Sequence, residues 1–255
     1  MTEDGPRTVD AVQRASDIII ALQELDGAGV TELADHLGVS KSGVHTQLTT
    51  LERNELVVKK NGKYTLSLQF LDFGRYVRSR VNYYGIVEKE VEKLAQKTGE
   101  VAQFMVEEHG RGVYLHKARG ENAIQTSSYV GDRNLLHCTA LGKAILSELP
   151  QDDVEDVIDR HGLARQTPNT ITDRQELLEE LERIRKQGVA YDREEILEGM
   201  QCIATSVITQ EGDLLGAVSV TGPNSRMQQD RLENELADRV EHTANVIEIN
   251  VAQTR

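Results

Sequence analysis

The chain has 255 residues with 42 Asp+Glu against 29 Lys+Arg, a formal net charge of −13. That length suits two domains, and the longest apolar run, Ile18 through Leu22, is far short of the roughly 20 residues a bilayer-spanning helix needs. The acidic start lacks a signal-peptide pattern, and Cys138 and Cys202 come with no CxxC and no His cluster, so composition argues against secretion, a disulfide framework or a zinc site and predicts a soluble, cytoplasmic protein with no metal and no cofactor.

In chain order the first legible device spans residues 30 to 66. VTELADHLGVS sets Leu33, Ala34 and Leu37 at helical spacing, breaks at Gly38 and restarts at Ser40, a side chain suited to cap the next helix. That is a helix-turn-helix pattern. Over about Lys41 to Arg53, Val44, Leu48 and Leu51 recur at i, i+4 and i+7 and predict the buried stripe of the second helix. Ser42, His45, Thr46, Thr49 and Arg53 then face away from the core, all able to bond base edges or phosphates, with Ser40 and Lys41 at the helix start. VVKKNGKYTL reads as a hairpin on Asn61-Gly62, the dipeptide favoured in a type I′ turn, and Lys59, Lys60 and Lys63 crowd its tip. A helical subdomain with a merely solvated face would not need cap, glycine turn, amphipathic helix and basic hairpin in that order; together they predict a winged helix-turn-helix over residues 1–68 that binds double-stranded DNA.

Charge divides unevenly along the chain. Residues 1 to 83 hold 10 Lys+Arg against 11 Asp+Glu, net −1, and residues 84 to 255 hold 19 against 31, net −12. Long-range repulsion from DNA therefore has to be overcome by the local basic patch and by salt.

No Pro- or Ser-rich linker follows. Leu68, Leu71, Phe73, Tyr76 and Val77 continue a helical pattern with Arg75, Arg78 and Arg80 on the polar side, which predicts a linker helix over 69–84. From Gly85 to Gly99 a further helix is expected. The period then shortens, and two hairpins are predicted, one turning over Glu108 to Gly112 and one over Glu211 to Asp213. Helices are expected near Leu141–Leu149, Asp152–Arg160, Asp173–Gln187 and Gln229–Val251. Residues 85–255 thus predict an α+β domain with a mostly antiparallel sheet.

Two blocks carry a family resemblance. Gly188, Asp192, Glu195 and Cys202, in GVAYDREEILEGMQCIA, resemble the signature of the IclR transcription regulators, and LHCTALGKAILSELP at 136 to 150 resembles a second block of that family. The resemblance extends from about Thr8 to Asn250. It implies a C-terminal domain of GAF-like topology that binds a small carboxylate effector (a keto acid, a sugar-derived acid or an aromatic acid), assembly as homodimers and as dimers of dimers, and control of catabolic genes as repressor or activator. On the same resemblance, the backbone N–H groups of Ala140 and Leu141 match positions that hold the ligand carboxylate, which suits the dipole of a helix N-terminus. Asp192 and Cys202 match contacts to its polar end, Ser219 and Thr221 match two hydroxyl positions, and Met200 stands as an apolar wall. Residues 219 and 221 are two apart on an expected strand and so share a face. Thr46 stands where recognition helices of the family often carry Arg, so no operator sequence is carried over.

Two other functional classes draw on the same residues. Cys202, His137 and Asp192 could form a thiol nucleophile, base and orienter of a hydrolase, but no nucleophile motif, phosphate loop or metal spacing accompanies them, and no catalytic residue is predicted. An architectural protein that binds DNA without an effector would leave the second domain unexplained.

Arg outnumbers Lys by 19 to 10 in an acidic chain, a balance that resembles proteins of salt-accumulating haloarchaea. Self-repulsion of the acidic second domain should relax as the Debye length shrinks from about 10 Å at 0.1 M to about 3 Å at 1 M salt. The melting temperature is expected to rise over that range of KCl; a salt-independent value would remove the halophilic reading.

Overall fold

The computed structural model describes residues 8–254, and the chain divides into two units that meet at Val81 and Asn82. In the first unit, α1 (Asp10–Glu24), α2 (Val30–Leu37) and α3 (Lys41–Arg53) precede a hairpin of β1 (Val57–Lys60) and β2 (Lys63–Leu66). Gly38 closes α2 at a positive φ of 65°, and Ser40 Oγ accepts the Gly43 N–H at 3.2 Å to open α3, so the turn between the two helices forms as the sequence predicts. Val44, Leu48 and Leu51 are buried with Ile18, Leu22, Leu33, Val57 and Tyr64 in one core. Asn61 and Gly62 take φ of 50° and 83°, the left-handed pair of a type I′ turn. The first unit ends with α4 (Gln69–Ser79), shorter than the expected helix over 69–84, and none of its residues is buried.

The second unit is a six-stranded sheet, every pairing antiparallel, in the order β5-β4-β3-β8-β7-β6. Its strands are β3 (Val101–Glu108), β4 (Arg111–Arg119), β5 (Arg133–Leu135), β6 (Ala190–Arg193), β7 (Met200–Ile208) and β8 (Leu214–Pro223). The first hairpin turns on His109-Gly110 alone, φ 57° and 76°, because these two residues take the left-handed pair; the wider turn expected over Glu108 to Gly112 is thus corrected. Strands β5 and β6 are additions to the four that periodicity reveals.

Each face of the sheet carries its own core. On one, Ala102, Phe104, Ile203, Val218 and Val220 meet α5 (Tyr84–Thr98) and α9 (Ala237–Ala252). A wide-turned helical segment, Arg231–Leu236, runs directly into α9, so the predicted last helix is irregular in its first turns. On the other face lie α6 (Ala140–Glu148), α7 (Gln151–His161) and α8 (Arg174–Gln187). Here Ala190, Ala204 and Ala217 present only methyl groups, which lets α6 lie low on the sheet with Ala140 through Ser147 all buried. A helix enclosed on all sides must be apolar or have its polar groups paired. Lys143, 1% exposed, meets this rule through an ion pair with Glu195 Oε1 at 2.5 Å and a longer one with Glu180 Oε1 at 3.7 Å.

Gly142 sets how closely the start of α6 can sit on the turn Leu136–Cys138 before it, since a Cβ there would overlap the Leu136 backbone. Gly142→Ala is expected to destabilise the protein by about 1–3 kcal/mol through this overpacking, measured by urea unfolding. An unchanged midpoint would mean that α6 can shift freely.

Candidate functional site

The first unit offers an exposed polar face. Ser42, His45, Thr46, Thr49 and Arg53 on α3 are all exposed, as are Ser40 and Lys41 at its start. Without DNA their hydroxyls bond locally: Thr46 Oγ1 donates to Ser42 O at 3.0 Å, Thr49 Oγ1 to His45 O at 2.8 Å, and Ser40 Oγ is occupied by its cap. On the hairpin, Lys60 and Lys63 lie directly opposite each other, while Lys59 pairs with Tyr64 and holds its ammonium 5.0 Å from that ring's centre. The three lysines therefore divide between the two faces of the wing. Like charges facing across a strand pair cost stability, so the Lys60/Lys63 pair does not serve the fold.

In the second unit a cavity of ≈ 230 Å³ opens on the α6 face of the sheet. Strands β6, β7 and β8 supply Asp192, Met200, Gln201, Cys202 and Thr221, and β3, β4 and β5 supply Gln103, Tyr114 and Asn134. The loop between β4 and β5 adds Thr126, Ser127, Ser128 and Asp132, and the loop after β6 adds Ile196 and Leu197. Thr139 and Leu141 bring in the N-terminus of α6. Register explains the convergence: Asp192 pairs with Cys202, and Cys202 with Thr221, so three side chains from three strands form one row on one face.

Thr139 Oγ1 accepts the Gly142 N–H at 2.9 Å, which leaves the amides of Ala140 and Leu141, the first two of α6, without an acceptor inside the helix. Of the residues that the sequence suggests for an effector, Leu141, Asp192, Met200, Cys202 and Thr221 line the cavity. Ala140 and Ser219 stand behind its wall, both 0% exposed. Ser219 Oγ lies close enough to the Cys202 sulfur to ease its ionisation slightly, yet it makes no hydrogen bond of good geometry among the described residues. Thr221 Oγ1, by contrast, donates to Cys202 Sγ at 3.0 Å.

Burial dominates the titration of the site. It pushes the Asp192 carboxyl up to about 7; the neighbouring Glu195 charge adds to the rise, and the Glu195 N–H, 2.6 Å from Oδ1, works against it. Burial, then the Asp192 charge, pushes the Cys202 thiol up to about 12, so at neutral pH it is a protonated, unreactive thiol. His137 is held below the usual imidazole range by burial, and its Nε2 donates to Ala164 O at 3.1 Å, not to a thiol. Cys202, His137 and Asp192 thus do not form a nucleophile, base and orienter, which removes the geometric case for a hydrolase.

Sequence reasoning missed Gln103, Tyr114, Asn134, Ile196 and the polar loop residues Thr126, Ser128 and Asp132. One signal was available: residues 120–132 form a long connection with no strand or helix of their own, and such loops in compact domains commonly serve function. The Lys143–Glu195 pair was invisible, because nothing in either local pattern says that the two side chains meet.

Comparison with known proteins covers both units. A family model described as IclR helix-turn-helix domain matches residues 11–60, and one described as Bacterial transcriptional regulator IclR C-terminal matches residues 76–249. The probable HTH-type transcriptional regulator ArcR of Halobacterium salinarum is 31% identical over 250 residues, 96% of this chain and 95% of that protein. Among solved structures, the IclR of Thermotoga maritima superposes with a TM-score of 0.74 at 27% identity, over 94% of this chain and 98% of that one. The inducer-binding domain of the Acinetobacter transcription factor PobR, a double mutant in complex with 3-hydroxybenzoic acid, superposes with a TM-score of 0.60 at 25% identity, over 64% of this chain and 96% of that one. With both halves matched in the same order, this chain belongs to the IclR family of DNA-binding transcriptional regulators, not of enzymes, and its C-terminal unit is the family's ligand-binding domain.

Proposed function

We propose that this regulator reads an operator with α3 and the wing, binds a small carboxylic acid in the cavity of its second unit, and controls catabolic genes in response. The observation that carries the effector reading is the start of α6: two amides without helical acceptors, at the positive end of a helix dipole, beside a cavity too small for more than a compact metabolite. The aromatic acid held by the inducer-binding domain of PobR supports a carboxylate as the class of ligand. We read the functional limits as a DNA-binding domain over 1–68, a linker over 69–84 and an effector domain over 85–255, in a cytoplasmic protein; no helix among the described residues is long and apolar enough to cross a membrane.

A second copy of the chain is the proposed partner. Helix α4 buries none of its side chains and, with Leu68 just before it, leaves Leu68 82%, Leu71 71% and Val77 63% exposed, apolar surface on more than one side of the helix that a second copy would partly cover. A single winged domain contacts few base pairs, and pairing doubles them on an inverted repeat. The match to a Halobacterium protein supports the halophilic reading of the acidic second unit.

Removing charge at Lys60 and Lys63, with Lys59, is expected to weaken binding to all DNA sequences alike and to reduce the salt dependence, while changes at Ser42, His45 or Thr46 alter sequence preference. Titrations across KCl concentrations on an inverted-repeat operator check this. A triple lysine variant with wild-type affinity at every salt, or a footprint lacking twofold symmetry, would sink the wing or the dimer respectively.

The effector site predicts a pH dependence with a definite sign. Because burial raises Asp192 from the ordinary carboxylate range to about 7, its stability cost is absent below that ordinary range, grows as pH rises toward 7, and is complete above it. The ionised side chain also repels an anionic ligand. Carboxylate affinity should therefore fall between about pH 6 and about pH 8, and Asp192→Asn should flatten the profile. Thr221→Val should weaken the same ligand by about 0.5–1.5 kcal/mol, one neutral hydrogen bond. Calorimetric titration against a panel of keto, sugar and aromatic acids decides: a cognate acid that binds the Asp192 and Thr221 variants with wild-type affinity and an unaltered pH profile places the pocket elsewhere.

A further inference from the structure

We propose that the cavity selects an acid with two anionic groups, the second held by the Thr126 hydroxyl, which Ser128 orients, with the Lys117 ammonium behind them. This rests on the carboxylate reading of the α6 end and extends it to the opposite wall. Lys117 pairs in register with Gln103 across β4 and β3, so both side chains leave the same face of the sheet, and Gln103 lines the cavity. Its Nζ donates to Thr126 Oγ1 at 2.6 Å, to Ser128 Oγ at 3.0 Å and to Ser128 O, and both hydroxyl residues line the cavity.

The charge balance is what points to an anion. Lys143, the other buried ammonium of this region, is neutralised by Glu195 and Glu180. Lys117 is half-buried and ion-pairs with no carboxylate among the described residues; Asp132 acts on it only from a distance, and Arg119, two residues along, adds a second positive charge. A cation withdrawn from water without a counter-ion is costly, and the cavity is where a counter-ion can enter.

The hydrogen-bond inventory then fixes which atoms would meet it. Ser128 Oγ accepts from Lys117 Nζ and from Gln103 Nε2 at 3.0 Å, which fills both of its lone pairs. Its own proton must be donated, and Thr126 Oγ1 at 3.3 Å is the acceptor at hand. Thr126 Oγ1 then accepts from both neighbours, and its O–H is left as a donor with no acceptor among the described residues. A carboxylate there receives that proton in a hydrogen bond and shares the field of Lys117. Gln103 Oε1 lies 3.4 Å from the Thr221 hydroxyl, whose single proton is directed either to it or to Cys202 Sγ at 3.0 Å, so the two ends of the cavity are adjacent in one polar row.

The test uses the full-length protein and acids matched in carbon number: butyrate with succinate, and valerate with glutarate. Wild-type protein is expected to bind each diacid at least about tenfold tighter than its monoacid, the scale of one hydrogen bond to a charged group. In Lys117→Met the ratio should collapse to near one, and Lys117→Arg should keep most of it. Thr126→Val, which spares the lysine, should lower the ratio as well and serves if the Lys117 variant does not fold. Equal wild-type affinity for monoacids and diacids overturns the proposal, as does a preference that survives both Lys117→Met and Thr126→Val. A loss shared equally by both acids marks Lys117 as a mere tether of the loop and overturns it too. Monoacids that bind as well as diacids and are weakened by Thr221→Val leave the carboxylate site standing while the dianion fails. No binding of either series removes both.

Discussion

The buried pair of Lys143 and Glu195 is the constraint on which the second unit turns. Helix α6 can lie flat on the alanine-paved face of the sheet only if its ammonium is neutralised, and the partner comes from the loop that follows β6. That loop carries Ile196 and Leu197 into the cavity, and its Glu195 N–H holds the carboxyl of Asp192. One ion pair thus sets the spacing between the helix end that offers free amides and the strand that offers a titrating carboxyl. Thr167 and Thr170 secure the same loop by donating to the backbone oxygens of Glu194 and Glu195. Breaking such a pair leaves an uncompensated charge indoors, a penalty of about 3–5 kcal/mol, which makes the geometry of the cavity and the stability of the fold the same problem.

The sheet separates two duties. Its α5/α9 face is packed with large aliphatic side chains and Phe104, and the described cavity does not reach it. The α6 face is built of small residues and polar groups that leave room for a ligand. Glu195 Oε2 has no hydrogen-bond partner among the described residues although it is buried, and Asp192 beside it titrates near neutrality. Unsatisfied polar groups of this kind cost stability and are retained where a site needs them.

The winged helix was legible residue by residue because its signals are local. A cap, a left-handed glycine, an i, i+4, i+7 stripe and an Asn-Gly turn each act within a few residues, and each appears where expected. The second unit was legible only in part. Strand β6 is four residues long and β5 three, too short for alternation to register against the neighbouring loops. Without β6, Asp192 reads as a turn residue; with it, the register places that carboxyl level with Cys202 and Thr221. Ser219 shows the limit of face arguments: it shares a face with Thr221, but Ala204 beside it sits under α6, so the cavity passes Ser219 by although it reaches Gln103 on the other side of the same row. The family resemblance supplied the ligand class that periodicity could not.

Helix α3 carries threonines at 46, 49 and 50, and each spends its hydroxyl on the carbonyl one turn back. A threonine so engaged has its methyl, not its oxygen, as the group left over at the exposed end of the side chain. In a major groove the feature that a methyl recognises is another methyl, that of thymine. If α3 reads DNA as proposed, its outward face would offer threonine methyls beside Ser42 and His45, between Lys41 and Arg53, and would favour thymine positions where those methyls fall.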